Sequence, residues 1–104
     1  MQQWIPTQLA AALRDGANIA MLDVRESWEY EIAHLASSRL IPLGQLTKRV
    51  SELNADQPLV VICHHGVRSL QACYWLERNG FEVINLIGGI DQWAQTVDPT
   101  MPLY

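Results

Sequence analysis

Short apolar runs alternate with helical patterns along this chain, and this alternation limits the folds that the chain can adopt. The clearest apolar runs are Ile19–Leu22, Leu59–Ile62 and Val83–Leu86, which have the length and composition of buried strands. The clearest helical pattern, with a period of 3.6 residues, covers Val67–Asn79. Strands that alternate with helices predict an α/β fold with a mainly parallel central sheet.

Weaker patterns predict the remaining elements. Thr7 is expected to cap a first helix that stops at Gly16, and Ser27 is expected to cap a helix that runs to Ile32. The other predictions are an extended segment at Leu40–Pro42, a helix through Leu46, Val50 and Leu53, a last helix over Ile90–Gln95 and an extended strap over Asp98–Tyr104.

Composition restricts the class of protein. A chain of 104 residues with 49% hydrophobic and 17% charged residues predicts one folded domain over residues 1–104. The net charge of −4 argues against a nucleic acid partner. No apolar run approaches the ~20 residues of a membrane span, and Met1–Trp4 lacks the features of a signal peptide. Two cysteines in a chain without targeting features are typical of a reducing compartment. We therefore expect a cytoplasmic protein without a membrane partner.

The segment Val60–Ser69 carries most of the information about function. An apolar run ends at Cys63, a polar loop containing Gly66 follows, and Arg68 opens the helical pattern. Such a turn directs backbone N–H groups inward and adds the positive end of a helix dipole, so it predicts an anion site. We expect Cys63 at the rim of this site. Since the N–H donors stabilise a thiolate, Cys63 is predicted to be a nucleophile rather than an inert core cysteine.

The other residues of this loop have more than one interpretation. A positive charge such as Arg68 at the start of a helix is unfavourable to the helix dipole. The placement becomes favourable if an anion lies between the arginine and the helix start. Gly66 permits a positive φ or a close approach of the backbone, and Ser69 either donates its hydroxyl to the loop or caps it. His64 and His65 can stabilise the thiolate, add positive charge or face solvent, and neither is assigned a base role.

Two further thiol and imidazole groups have structural interpretations, and a metal site is disfavoured. Cys73 shares a helix face with apolar residues and is predicted to be a buried core thiol. His34 is expected to be packed and hydrogen-bonded. A metal site formed by Cys63, His64 and His65 is disfavoured, because consecutive ligands in a tight loop are badly spaced for tetrahedral coordination.

Two strand ends are predicted to meet at one edge of the sheet. Asp23 and Cys63 each follow directly after a predicted strand, and ligands of parallel sheets bind at the carboxyl ends of the strands. Asp23 and Arg25 are predicted to form a structural ion pair, with Arg25 and Glu26 touching solvent near the site.

These motifs, in this order, resemble the rhodanese-like sulfurtransferases of the small single-domain bacterial type. The matching segments are Leu22–Glu26, Ala33–Leu35, Ile41–Pro42, Cys63–Ser69, Gly80–Phe81, Leu86–Ile90, Trp93 and Asp98–Pro99. The resemblance implies a three-layer α/β fold, in which helices flank both faces of a five-stranded, mainly parallel sheet. It also implies a persulfide on Cys63, held by the loop of His64, His65, Gly66, Val67, Arg68 and Ser69, with Asp23 and Arg25 in supporting positions.

The implied activity is sulfur transfer. Cys63 would take a sulfane sulfur from a small anionic donor such as thiosulfate, or from a persulfide, and pass it to a thiol or protein acceptor without a metal or organic cofactor. The alternatives are a sulfur-carrier or interaction module that docks on a protein partner, and a Cys-based phosphatase or arsenate reductase. Phosphatases of similar fold carry Cys-x5-Arg, whereas only four residues separate Cys63 from Arg68. The tighter loop favours a single transferred sulfur atom.

One segment departs from the family pattern. The family usually has Gly-His-Ile-x-Gly-Ala where this chain has Ala33–Ser38. We expect this departure to change the path of that loop without touching Cys63.

Overall fold

A five-stranded parallel sheet forms the centre of the computed structural model, which describes all residues from Met1 to Tyr104. The strands are β1 (Gln2–Trp4), β2 (Ala20–Asp23), β3 (Arg39–Leu40), β4 (Leu59–Ile62) and β5 (Val83–Leu86). Their order across the sheet is β1-β5-β4-β2-β3, and all four neighbouring pairs are parallel. Every residue of β4 and β5 is buried, as expected for central strands with near-continuous apolar runs.

Helices cover both faces of this sheet. They are α1 (Pro6–Arg14), α2 (Ser27–Ile32), α3 (Leu46–Arg49), α4 (Val67–Arg78) and α5 (Gly89–Thr96), with 3-10 turns at Leu43–Gln45 and Val50–Glu52 on either side of α3. One core cluster joins alternate residues of β4, such as Val61, to Cys73 and Leu76 of α4. The other joins Val60 and Ile62 of β4 to residues of α1 and α5. The predicted three-layer α/β fold is therefore confirmed.

The secondary structure corrects three details of the sequence prediction. Thr7 does not cap α1, because the helix starts at Pro6 and the side chain of Gln8 accepts the N–H of Ile5 at 2.8 Å. Ser27 likewise does not cap α2: the cap residue is Glu26, whose N–H donates to Glu29 Oε1 at 3.0 Å. Both helices thus use the reciprocal side chain of a capping box. The short strand β1 has no counterpart among the elements predicted from sequence pattern.

The loop over Ala33–Ser38 contains a backbone conformation that glycine adopts most easily. Ser37 has a φ of +69° and is the one non-glycine residue with a positive φ. It stands at the position of the second glycine in the family pattern. The serine therefore adopts a left-handed conformation, at a cost of about 1 kcal/mol relative to glycine.

The carboxyl ends of β2 and β4 lie side by side, as predicted. Asp23 is the register partner of Ile62, and the N–H of Val24 donates to the carbonyl of Ile62 at 2.9 Å. Cys63 follows Ile62 directly, so the segment after β2 and the loop after β4 leave the sheet next to each other. None of the helices is both long and apolar enough to cross a lipid bilayer.

Candidate active site

The Cys63 sulfur lies beneath the loop that follows it. Cys63 is 1% exposed, so its predicted place at the rim is wrong: burial under the loop puts it at the floor. The N–H of Gly66 donates to Cys63 Sγ at 3.0 Å. The Cys63 S–H donates to Ser69 Oγ at 3.3 Å. The sulfur therefore contacts the last residue of the turn between β4 and α4 and a side chain in the first turn of α4.

Asn85 supports this arrangement from the neighbouring strand, and its role could not be read from sequence pattern. The Ser69 hydroxyl donates to Asn85 Oδ1 at 2.6 Å, and both residues are buried. Asn85 Nδ2 donates to Gln3 Oε1 at 3.2 Å and to the carbonyl of Gly66 at 3.4 Å. The available signal was one amide in an otherwise apolar strand, which must find buried hydrogen-bond partners.

The loop over His64–Ser69, called here the cysteine loop, offers further donors. The backbone N–H groups of His64, His65, Val67 and Arg68 donate to no acceptor in the protein. Gly66 has a φ of +97° and precedes the first residue of α4. Free amides at a helix start, next to a sulfur that already accepts one amide, form an anion-binding arrangement.

The start of α5 fixes the path of the cysteine loop. The N–H of Ile90 donates to the carbonyl of Cys63 at 2.9 Å, and the N–H of Asp91 donates to that of His64 at 3.1 Å. Gly89 has a φ of +59°, and a Cβ on it would lie 2.4 Å from the carbonyl oxygen of Cys63. Only glycine allows this close approach of the two backbones.

His64 is held in a stack of rings. The His64 ring lies parallel to the ring of Tyr104, with centroids 4.0 Å apart and planes at 6°, and its other neighbour is His65 at 4.0 Å. Burial, followed by the charge of His65, lowers the pKa of His64. Its Nε2 atom is buried without a hydrogen-bond partner. The neutral form of His64 is therefore favoured.

Arg68 forms a bidentate ion pair with Glu29. Its two terminal nitrogens lie 2.6 and 2.8 Å from the two carboxylate oxygens of Glu29. The hydrogen bonds with Glu29 raise the pKa of Arg68, and the nearby Cys63 acts in the same direction. Arg68 thus lies at the end of the cysteine loop, and its charge is neutralised by a carboxylate 39 positions earlier in the chain.

Glu29 and Tyr104 connect Arg68 to a second arginine. The Tyr104 hydroxyl donates to Glu29 Oε2 at 2.7 Å and accepts a hydrogen bond from Arg25 Nη1 at 2.8 Å. Hydrogen bonding by Arg68 lowers the pKa of Glu29 to about 2, and burial raises that of Tyr104 to about 12. Neither Glu29 nor Tyr104 has a role that the sequence predicts, because the partners of both residues are distant in sequence.

The predicted ion pair of Asp23 and Arg25 is present and has no exposed surface. Arg25 Nη2 lies 2.7 Å from Asp23 Oδ2, and Arg25 Nε lies 2.9 Å from Asp23 Oδ1. Burial opposes the charge of Arg25, but the hydrogen bonds that Arg25 donates to Asp23 and Tyr104 outweigh it and raise the pKa of Arg25. The expected contact of Arg25 with solvent is wrong, since its guanidinium also binds the carbonyls of Glu29 and Ala33. Glu26 is exposed.

Cys73 and His34 have the structural environments predicted for them. Cys73 is fully buried in the core, and burial raises its pKa to about 12, so it stays a thiol. His34 Nδ1 is 2.8 Å from the carbonyl of Tyr30, and its ring stacks on the Tyr30 ring. The ring is nevertheless exposed to solvent.

One group of side chains has potential metal ligands close together. Donor atoms of His64, His65 and Asp91 lie within 4.8 Å of one another. The two imidazole rings are stacked, which does not direct their lone pairs to a common point, as tetrahedral coordination requires. Cys63 is not part of this group. The arrangement fits nucleophilic chemistry at sulfur better than metal binding.

Several curated proteins are similar to this chain. It is 43% identical over 78 residues to a "putative sulfur carrier protein YrkF" of Bacillus subtilis, covering 74% of this chain and 42% of that protein. It is 33% identical over 88 residues to a "sulfurtransferase" of Allochromatium vinosum, covering 84% and 82%. It is also 33% identical over 102 residues to a "probable adenylyltransferase/sulfurtransferase MoeZ" of Mycobacterium tuberculosis. That match covers 95% of this chain but only 26% of the longer protein.

Solved structures share the fold over nearly the whole chain. A rhodanese-related protein from Thermoplasma volcanium superposes with a TM-score of 0.86 at 28% identity, covering 100% of this chain and 98% of that one. SSP1007 from Staphylococcus saprophyticus gives the same TM-score at 26% identity, covering 93% and 97%. The family model "Rhodanese-like domain" matches residues 6–96. The chain therefore belongs to the rhodanese-like domain family, a family of sulfur-transfer proteins.

Proposed function

We propose that residues 1–104 form one rhodanese-like domain that transfers sulfane sulfur through a persulfide on Cys63. The observation that carries this proposal is the placement of Cys63 Sγ, which accepts the Gly66 N–H at 3.0 Å beneath a loop with further unpaired amides. These donors can hold the negative charge that a donor or a persulfide brings to the loop.

In the first half-reaction the Cys63 thiolate attacks the outer sulfur of the donor. A bond forms between Cys63 Sγ and that sulfur, and the S–S bond of the donor breaks. The bonding electrons leave with sulfite, when the donor is thiosulfate, or with a thiolate, when the donor is a persulfide. No oxidant or reductant is consumed, because the oxidation state is exchanged between sulfur atoms.

In the second half-reaction an acceptor removes the outer sulfur. A thiophile such as cyanide, a small thiol or a protein thiol attacks the terminal sulfur, and Cys63 leaves as a thiolate. The cysteine loop stabilises the anion at each stage. Because the persulfide on Cys63 forms and the first product leaves before the acceptor attacks, the kinetics are ping-pong. The scheme uses only side chains and amides of this chain.

A sulfur-carrier role is the second candidate. It is favoured by the 43% identity with a protein named as a putative sulfur carrier, which is longer than the matched region. In that role the persulfide forms as described, but only one protein partner removes the sulfur. A Cys-based phosphatase or arsenate reductase is the third candidate, and the four-residue spacing between Cys63 and Arg68 disfavours it.

Steady-state kinetics separate these functions. We expect thiocyanate formation from cyanide and a sulfane-sulfur donor, with parallel double-reciprocal lines, and complete loss of turnover in Cys63→Ser. Cys73→Ser is the matched control and keeps its activity. Hydrolysis of an aryl phosphate that disappears in Cys63→Ser, without thiocyanate formation, would instead identify a phosphatase.

A further inference from the structure

The charged groups around Cys63 leave no free cation in the site. Arg68 in the cysteine loop is paired with Glu29, and Arg25 is paired with Asp23. A third carboxylate, Asp91, follows the residue that contacts the carbonyl of Cys63. The amides of the loop are therefore the main positive potential that a bound donor meets.

Glu29 keeps its negative charge under all physiological conditions. Its side chain is 4% exposed and accepts hydrogen bonds from Arg68, the Tyr104 hydroxyl and the N–H of Glu26. These contacts lower its pKa to about 2. The neutralisation of Arg68 is thus a fixed property of the site and not one that varies with pH in a cell.

This arrangement disfavours a doubly charged donor. When the Cys63 thiolate attacks thiosulfate, three negative charges come together at the cysteine loop. When it attacks a protonated persulfide, R–S–SH, only one negative charge is present. Uncompensated charges of like sign repel one another. The cost of thiosulfate binding therefore depends on whether the Arg68 charge is available.

We propose that Glu29 determines the donor class of this site, by neutralising Arg68 and so favouring a persulfide of low charge over thiosulfate. This inference rests on the proposed sulfurtransferase function. In the favoured step the Cys63 thiolate attacks the outer sulfur of R–S–SH, and the S–S bond breaks. The thiolate R–S⁻ leaves with the bonding pair, and Cys63 carries –S–SH. The proton of the donor stays on the transferred sulfur.

The test compares donors of different charge in matched variants. The donors are thiosulfate, with two negative charges, methanethiosulfonate, with one, and cysteine persulfide. The variant is Glu29→Gln, which keeps oxygen and nitrogen atoms for Arg68 and Tyr104 but removes the charge. Glu31→Gln is the control, because Glu31 is an exposed carboxylate on the same helix. Circular dichroism establishes that each variant is folded.

We expect Glu29→Gln to raise kcat/KM for thiosulfate about tenfold, and for methanethiosulfonate about threefold, since the gain scales with donor charge. The gain should shrink as added salt screens the freed Arg68. Glu31→Gln should leave both values within about twofold of the wild type. In the wild-type protein, cysteine persulfide should give the highest kcat/KM of the three donors.

Two results would overturn the inference and leave the proposed function intact. One is a folded Glu29→Gln protein with an unchanged ratio of thiosulfate to methanethiosulfonate kcat/KM. The other, which applies even if the variant does not fold, is a wild-type protein that prefers thiosulfate to cysteine persulfide. Absence of a Cys63 persulfide with every donor in the wild-type protein would overturn the sulfurtransferase function itself.

Discussion

The ring of Tyr104 lies flat against the ring of His64, with centroids 4.0 Å apart and planes at 6°. The same tyrosine bridges Arg25 and Glu29 through its hydroxyl. One residue near the end of the sequence thus contacts both the cysteine loop and the ion pairs beside it. The segment over Asp98–Tyr104, predicted as an extended strap, contains no helix or strand and ends at this contact.

The stacking contact predicts how His64 titrates. Burial lowers the pKa of His64, so Tyr104→Ala, which exposes the ring, should raise that pKa towards its ordinary value. Tyr104→Phe keeps the ring and should leave the pKa of His64 nearly unchanged. The measurement is an NMR titration of the His64 ring protons in the three proteins. Equal pKa values in Tyr104→Ala and the wild type would show that the stack does not bury His64.

The ion pair of Glu29 with Arg68 predicts how the free energy of unfolding depends on pH in acid. Its pKa is about 2 in the folded protein and 4.5 as a free side chain, so its contribution is complete above pH 4.5 and is lost as the pH falls towards 2. Because solvent partly screens Arg68, we expect the free energy of unfolding to fall by about 2 kcal/mol more in the wild type than in Glu29→Gln. Urea unfolding across this pH range measures the difference.

The control for this prediction is Glu31→Gln, which should follow the wild-type pH dependence because Glu31 is exposed. A Glu29→Gln protein that loses stability in acid as steeply as the wild type would contradict the role of the ion pair.

The contact between Gly89 and the cysteine loop predicts a local effect of an added methyl group. Gly89→Ala would place a Cβ 2.4 Å from the carbonyl oxygen of Cys63, so α5 and the loop must separate. We expect a loss of about 3 kcal/mol in stability and more than about tenfold in sulfur transfer. Gly16→Ala is the matched control, since Gly16 also has a positive φ (+71°) but has open space around it.

Gly16→Ala should therefore lose only about 1 kcal/mol and retain full activity. Denaturant unfolding together with thiocyanate formation distinguishes the two variants. Indistinguishable losses in Gly16→Ala and Gly89→Ala would mean that backbone strain alone, and not the close approach to Cys63, accounts for the effect.

Ser37 predicts a stabilising substitution. Its φ of +69° strains a serine but not a glycine, so Ser37→Gly should raise the free energy of unfolding by about 1 kcal/mol. Ser51→Gly, in the 3-10 turn over Val50–Glu52, should lower it by about 0.5 kcal/mol. Thermal or denaturant unfolding of both variants measures these differences. A loss of stability in Ser37→Gly would contradict the claim that the positive φ strains Ser37.

The central elements follow from the sequence because their signals are local. The run Leu59–Ile62 is the strand that the structure contains, and α4 covers Val67–Arg78 where the periodicity predicts Val67–Asn79. The caps at Thr7 and Ser27 are wrong for a local reason as well. In each helix, the side chain three residues after the cap residue accepts the backbone N–H of that cap residue: Gln8 accepts from Ile5, and Glu29 accepts from Glu26. The cap residues are therefore Ile5 and Glu26, and neither is a Ser or a Thr.

The surroundings of Cys63 depend on contacts between distant segments, which a single sequence does not reveal. The strand end and loop predicted Cys63, Gly66 and Arg68 as one group. Glu29 pairs with a residue 39 positions away and Tyr104 with one 79 positions away, so neither has a local signal. The short strand β1 is an edge strand whose pairing with β5 depends on the assembled sheet.

The most direct test of the account is the mass of the protein after exposure to a sulfane-sulfur donor. We predict that the wild type and Cys73→Ser gain the mass of one sulfur atom, that peptide mapping places this atom on Cys63, and that cyanide removes it as thiocyanate. Cys63→Ser should gain nothing. A folded wild-type protein that gains no sulfur from any donor, or gains it at Cys73, would contradict the assignment of Cys63 as the sulfur-transferring residue.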